Sequence, residues 1–372
     1  MILKSNIKGC AILGNKEEKL NVLIMLNVIT TLLVILGHAG CVYAGKWNCE
    51  VFYKNSNFIR YITEYIYSFH MPLFVFISGY LYCNGKNNNK YKSLRDICVK
   101  KFKRLLIPYF FIGIFFMIPI HMIFNIDNIN TSYIIRIWNE IILAKSPRHL
   151  WFLLMLFNLF IIFYIFEKFF YRNTVKINFI IMLAISIVSI ILPNTYQISS
   201  TFQYMIYFYI GYEFCNNKRK SSRNKWMSMK LIHIILFNIN YFSIYKFISQ
   251  GNNGVIVKIT SIISNRIISI IGVISIFLIM QHIFNVQEEK MDRLVKSNTF
   301  NKISKNTFYI YLIHQPIMLV ILKKLRYLQI KPIIIYITLF AGTLIISFIL
   351  VEIYNVVKLK FESKNKIFQN KL

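Results

Sequence analysis

The sequence predicts an all-α integral membrane protein, a bundle of about ten transmembrane helices. Three observations predict it. Hydrophobic residues make up 56% of the 372-residue chain and the mean hydropathy is +0.51, where soluble proteins carry roughly 45–50% apolar residues. Charged residues, 16% of the chain, gather in short lysine-rich stretches between long apolar runs. Those runs approach the ~20 residues needed to cross a hydrocarbon core. Helix satisfies its own backbone groups there, and the runs are too long and too uniformly apolar for barrel strands.

Residues 1–20 read as a cytoplasmic tail, because they are mixed and charged and lack the apolar core of a cleavable signal peptide. Spans are then expected at 21–43, 61–83, 104–124, 150–170, 177–193, 199–215, 231–249, 266–285, 305–322 and 333–355. The fifth and sixth are short and meet at a hinge of Pro193, Asn194 and Thr195. Residues 21–355 thus form one membrane domain, with 287–305 expected as a solvated linker and 356–372 as a second cytoplasmic tail.

The formal charge of +30 does not indicate a nucleic-acid partner. Basic residues lie in short loops, where the positive-inside rule places them. The N-terminal tail, the 84–103 loop, the loop after the sixth span and the C-terminal tail are rich in Lys and Arg, whereas 194–198 carries no charge. Lys323, Lys324, Arg326 and Lys331 run against that trend. Their sum favours both termini in the cytoplasm, which an even number of spans allows. The excess of Ile, Asn, Lys and Tyr suits a low-GC bacterial genome and a multi-pass protein of the plasma membrane. Six cysteines (Cys10, Cys41, Cys49, Cys83, Cys98 and Cys215) form no CxxC and no cluster with His, so no metal is expected. Cys41 and Cys49 could pair in an oxidising space; free thiols are the expectation.

Histidines carry the chemical signal. An ionisable group at membrane depth is costly, faces a polar interior and often marks function. His38 lies near the end of the first span, His70 in the second, His149 at the start of the fourth and His314 in the ninth. Spans one and nine run outward, and two and four run inward, so all four fall in the outer half. This predicts one polar chamber in which a neutral imidazole acts as general base. The plain alternative for each is a packing histidine that bonds a neighbour, or, for His149, an interfacial position beside Trp151. Ser78 and Gly79 read as small packing residues, Glu64 and Glu352 as solvated span ends, and Tyr309 and Tyr311 as cavity lining or aromatic belt. Lys101, Lys103 and Arg104, before the third span, suit either cofactor phosphates or lipid headgroups.

Several segments together resemble the acyltransferase 3 family of membrane acyltransferases, near its fucose and polysaccharide O-acetylases. They are LLVILGH ending at His38, FHMPLFVFISGYL at 69–81, KKFKRLLIPYF at 100–110, HLWFLLMLF at 149–157, YFYIGYEF at 207–214 and FYIYLIHQPI at 308–317. The resemblance implies ten spans, acetyl-CoA or another acyl-CoA as donor, and a glycan hydroxyl as acceptor. It implies His38 as catalytic base with His70 and His314 beside it, Lys101 and Arg104 near the coenzyme's phosphates, and His149 and Trp151 near the acceptor. The family normally carries a basic residue eleven positions before the histidine and often an acidic one three earlier; here these are Asn27 and Ile24. Eleven residues are about three turns, so Asn27 shares a face with His38 roughly 16 Å away. Asn27 can hydrogen-bond the donor and cannot neutralise it. Two rivals follow: an inactive relative serving polysaccharide export or assembly, and a membrane transporter, for which no inverted repeat is visible.

Overall fold

The computed structural model describes residues 14–45, 55–127, 131–216, 255–325, 328 and 330–369. Among them every regular element is helical. In chain order they are α1 (Gly14–Ala39), α2 (Asn57–Asn87), α3 (Leu94–Ile123), α4 (Tyr133–Arg136, running into a π turn Ile137–Ile142), α5 (Trp151–Arg172), α6 (Val175–Val188), α7 (Ile198–Cys215), α8 (Val255–Val286), α9 (Glu288–Lys296), α10 (Asn298–Leu325) and α11 (Pro332–Gln369). Seven helices in this set are long and apolar enough to cross a membrane: α1, α2, α3, α5, α8, α10 and α11. A shorter apolar helix covers Val175–Ile191, and α7 buries most of its length in the bundle. The expected span at 231–249 lies outside the described residues.

Two stretches expected outside the spans are helical. The stretch 287–305 folds into α9 and the first turns of α10. Glu288 and Glu289 open α9 and Arg293 and Lys296 close it, which complements the helix dipole. Met291 and Val295, one turn apart, are buried, and Asn21 donates to Asp292 at 3.0 Å. Likewise α11 continues to Gln369, so most of the expected C-terminal tail is helix.

Prolines shape the bundle. In α3, π turns at Phe102–Leu106 and Gly113–Met117 precede Pro108 and Pro119. Proline removes a donor and crowds the preceding turn. Here Ile107 N–H bonds Phe102 O and Ile118 N–H bonds Gly113 O, five residues back, which relieves that crowding. In α2 and α10, Pro72 and Pro316 leave the carbonyls of Ser68 and Leu312 without their helical donors. Side chains from other elements supply them: Ser269 Oγ of α8 bonds Ser68 O, and His149 Nε2 reaches Leu312 O at 2.8 Å.

The tightest crossing is α2 on α7. Gly79 lies against the backbone carbonyl of Phe208, and Gly211 against that of Phe76; a Cβ at either would collide with it. This is the close approach that small residues permit between membrane helices. Contacts such as Gly40 with Thr63 and Gly37 with Ile66 run α1 antiparallel to α2. His38 beside His314 and Asn27 bonded to Thr307 run α1 parallel to α10. One end of the bundle therefore gathers the last turns of α1 and the first turns of α2, α5 and α7.

Candidate active site

Four elements bring four histidines together towards that end. His38 comes from the last turn of α1, His70 from α2, His314 from α10, and His149 from the 3-10 turn Arg148–Leu150 before α5. All four are buried. The His38 ring stacks on His314 at 5.1 Å and meets His70 edge-on at 6.1 Å. His149 lies 5.4 Å from His314. Tyr67 closes one side, 5.8 Å from His38 and 4.9 Å from His70. Tyr311 closes another, 5.5 Å from His314.

Hydrogen bonds assign the tautomers. His314 Nδ1 lies 2.6 Å from the Tyr311 carbonyl, which can only accept, so Nδ1 carries the proton. In the neutral ring Nε2 is then the acceptor. His38 Nδ1 lies 2.9 Å from it and therefore donates. His38 is left with its basic lone pair on Nε2. A chain of carbonyl, His314 and His38 thus fixes the His38 ring and disperses any charge it gains on protonation, as an orienting partner does.

The other two imidazoles differ. His70 Nδ1 donates to Ile66 O at 2.8 Å. Its Nε2 is then an acceptor, so neutral His70 has no further ring N–H to offer. His149 meets an oxygen on each side, Gln315 Oε1 at 2.6 Å from Nδ1 and Leu312 O at 2.8 Å from Nε2. Its own backbone N–H also donates to Gln315 Oε1 at 3.1 Å, which fixes the amide's orientation. A neutral imidazole has one N–H, so the ring donates to one of these oxygens at a time. Tyr311 Oη, donating to His149 O at 2.8 Å, ties the turn to α10; Tyr311 therefore belongs to the buried cluster, while Tyr309 packs on Tyr354.

The remaining expected residues lie apart. Asn27 is half-buried and donates to Thr307 Oγ1 at 2.8 Å, joining α1 to α10. Lys101 and Arg104 do not share a surface: the π turn leaves Arg104 exposed and buries Lys101. The Lys101 ammonium lies 3.4 Å from the centre of the Phe160 ring and 5.4 Å from that of Tyr91, a cation–π setting. Near it Glu167 joins Lys86 at 3.0 Å and Tyr82 at 2.9 Å. Glu352, expected in water, pairs with Lys302 and Asn306. Trp151 is half-buried and lines a cleft next to His149.

One group escaped the sequence reading. Asp127 Oδ2 receives Arg136 at 2.6 Å, Arg148 at 2.7 Å and His121 Nδ1 at 2.9 Å. Glu140 takes the other edges of Arg136 at 2.8 Å and Arg148 at 3.5 Å. Burial works to raise the Asp127 carboxyl, but His121 and the two guanidinium groups hold it well below the usual carboxylate range. The network braces the loop that delivers His149. Arg136 and Glu140 at i, i+4 were its one local signal; Asp127 and Arg148 join only in three dimensions.

The chain is a helical membrane bundle with a buried cluster of four histidines. A family model described as an acyltransferase domain matches residues 23–352, and the chain belongs to that acyltransferase 3 family. No curated protein and no solved structure gives a significant match.

Proposed function

We propose that this membrane acyltransferase moves an acyl group, acetyl by default, from acyl-CoA to a hydroxyl of a cell-surface or exported polysaccharide in a bacterial plasma membrane. The observation that carries the reading is the Tyr311 carbonyl–His314–His38 chain, which leaves the lone pair of a buried imidazole on His38 Nε2. Acyl-CoA enters from the cytoplasm, with Arg104 at the surface and Lys101 inside the bundle near its phosphates. The pantetheine arm brings the thioester to His38, and Asn27 lies along that face. The glycan hydroxyl arrives from the other side. His38 Nε2 removes its proton as the oxygen attacks the thioester carbonyl, forming the C–O bond. The tetrahedral intermediate then expels the coenzyme A thiolate, which takes the proton back from His38. His70 lies beside His38, and His149 and Trp151 border the acceptor side.

Membranes supplied with labelled acetyl-CoA test this. Label should enter alkali-labile ester on surface polysaccharide, and His38→Ala should cut the rate by about 10²–10⁴-fold, the usual worth of a general base. A normal rate in His38→Ala would overturn the mechanism. Asn27 supports a second reading, an inactive relative acting in polysaccharide export or assembly, since its amide is committed to Thr307 rather than to a charge. In that case His38→Ala leaves the polysaccharide phenotype unchanged and no label is transferred by any variant.

A further inference from the structure

Next to His149 lies a cleft of about 390 Å³ that the chemistry above does not use. Trp151 and Tyr204 line it, their rings 5.6 Å apart and inclined at 55°, together with Arg148, Asn194, Gln197 and Gln203. Amides and a guanidinium beside aromatic faces suit a ligand that has both apolar C–H faces and many hydroxyls. Amphipathic aromatics take the first and amide donors the second. The volume lies at the low end for small-molecule sites, about 300–1,000 Å³.

The walls are built with strained backbone. Six non-glycine residues have positive φ among those described, and two are asparagines, which tolerate it. The other four are Ala144, Arg148, Tyr196 and Gln197; Arg148 and Gln197 line this cleft, and Tyr196 precedes Gln197 in the chain. Strain of this kind concentrates at binding sites. It is held in place: Asn158 Nδ2 donates to Tyr196 O at 2.8 Å, and Ser200 Oγ donates to Asn194 Oδ1 at 2.9 Å. Gln197 Oε1 faces Ser200 Oγ at 3.2 Å and Asn194 Nδ2 at 3.4 Å, so a ligand meets the donor end of the Gln197 amide.

Charge narrows the ligand further. Arg148 brings a cation to the wall, but Asp127 and Glu140 engage it while also taking Arg136, so two carboxylates offset two guanidinium groups. Arg266 is buried against Tyr207 and does not line the cleft.

We propose that this cleft binds one neutral pyranose ring of the acceptor glycan, stacked on Trp151 and held by Asn194, Gln197 and Gln203, and so chooses uncharged over acidic sugars. The inference rests on the acceptor being a glycan.

The test uses full-length protein in lipid nanodiscs with Trp47, Trp138 and Trp226 replaced by Phe, so that Trp151 alone reports. Neutral methyl pyranosides of gluco, galacto, manno and fuco configuration, and the matching methyl uronosides, are titrated into the high-millimolar range. At least one neutral sugar should change the fluorescence saturably. Gln197→Glu, which removes the donor without changing shape, and Asn194→Ala should each weaken it about tenfold, equivalent to ~1.4 kcal/mol. No saturation by any neutral sugar, an undiminished response in both variants, or tighter binding of the uronosides would overturn the proposal. Transfer of label with a silent Trp151 sinks the cleft alone. A saturable Trp151 response without any acyl transfer sinks the enzyme reading and leaves the cleft standing.

Discussion

At the residue scale the site is a matter of which nitrogen holds which proton. His314 touches His38 through one hydrogen bond at 2.9 Å and is itself set by a backbone carbonyl. Replacing it with Ala removes the acceptor that fixes His38 and leaves the His38 ring to choose its own tautomer. We expect His314→Ala to lose about 10–100-fold in transfer, the usual cost of an orienting partner. The double variant with His38→Ala should be no slower than His38→Ala alone, because the two act as a unit; additive losses would separate them. The four histidines were legible in the sequence because charge at membrane depth has few bland explanations. Their tautomers were not, since these depend on the Tyr311, Ile66 and Leu312 carbonyls, and no residue type records where a carbonyl points. The Asp127 network was equally hidden. Its carboxyl is held below its unfolded value, so the stability it adds is fully present above about pH 4, the ordinary carboxylate range, and is lost as pH falls through the folded value. Thermal unfolding in detergent should therefore weaken below pH ~4 in the wild type. Asp127→Asn should be less stable by about 3 kcal/mol at neutral pH, as when a buried pair loses one partner, and flatter in acid.

At the element scale, the apolar runs located the described spans to within a few residues at most ends and failed at five. α1 begins at Gly14, α3 at Leu94, α8 at Val255 and α10 at Asn298, ahead of the runs, and α11 outlasts its own. Hydropathy finds the part of a helix that meets lipid; it does not find turns that continue the same hydrogen-bond ladder into polar surroundings. The role of Gly79 in packing was legible, its partner Gly211 was not, because the match is made across two helices. A methyl group at Gly79 must displace the Phe208 backbone, which a flexible side chain cannot absorb. Gly79→Ala and Gly211→Ala should each destabilise the bundle by at least 1–3 kcal/mol, the usual cost of overpacking, seen as a lower melting temperature in detergent. Gly342→Ala in α11, where the added Cβ meets only the end of the Ile321 side chain at 3.4 Å, serves as the control for glycine loss. A Gly79→Ala protein no less stable than it would show that the crossing has slack.

For the whole molecule, the proposed donor and acceptor have opposite requirements. Coenzyme A is polar, anionic and cytoplasmic, and an exported polysaccharide is outside, so a bundle that joins them needs distinct ends. The chain has them. Lys101 and the Glu167–Lys86 pair lie towards one end, and the histidines, the Asp127 network and the Trp151 cleft towards the other. The helix pairings set these ends relative to each other, but lysine counts alone say which faces the cytoplasm. That count has an exception around Lys323, whose ammonium bonds the carbonyls of Phe124 and Asn125 at 2.7 and 2.8 Å and so has a structural reason to lie at the histidine end. Discounting it strengthens the assignment of both termini to the cytoplasm. In a background without native cysteines, single cysteines at Asn88 and at Pro193 should respond oppositely to an impermeant maleimide. In intact cells Pro193→Cys should label and Asn88→Cys should stay protected until the membrane is opened. The reverse pattern would place the histidines inside, and the acceptor would then have to be a cytoplasmic precursor rather than a glycan at the surface.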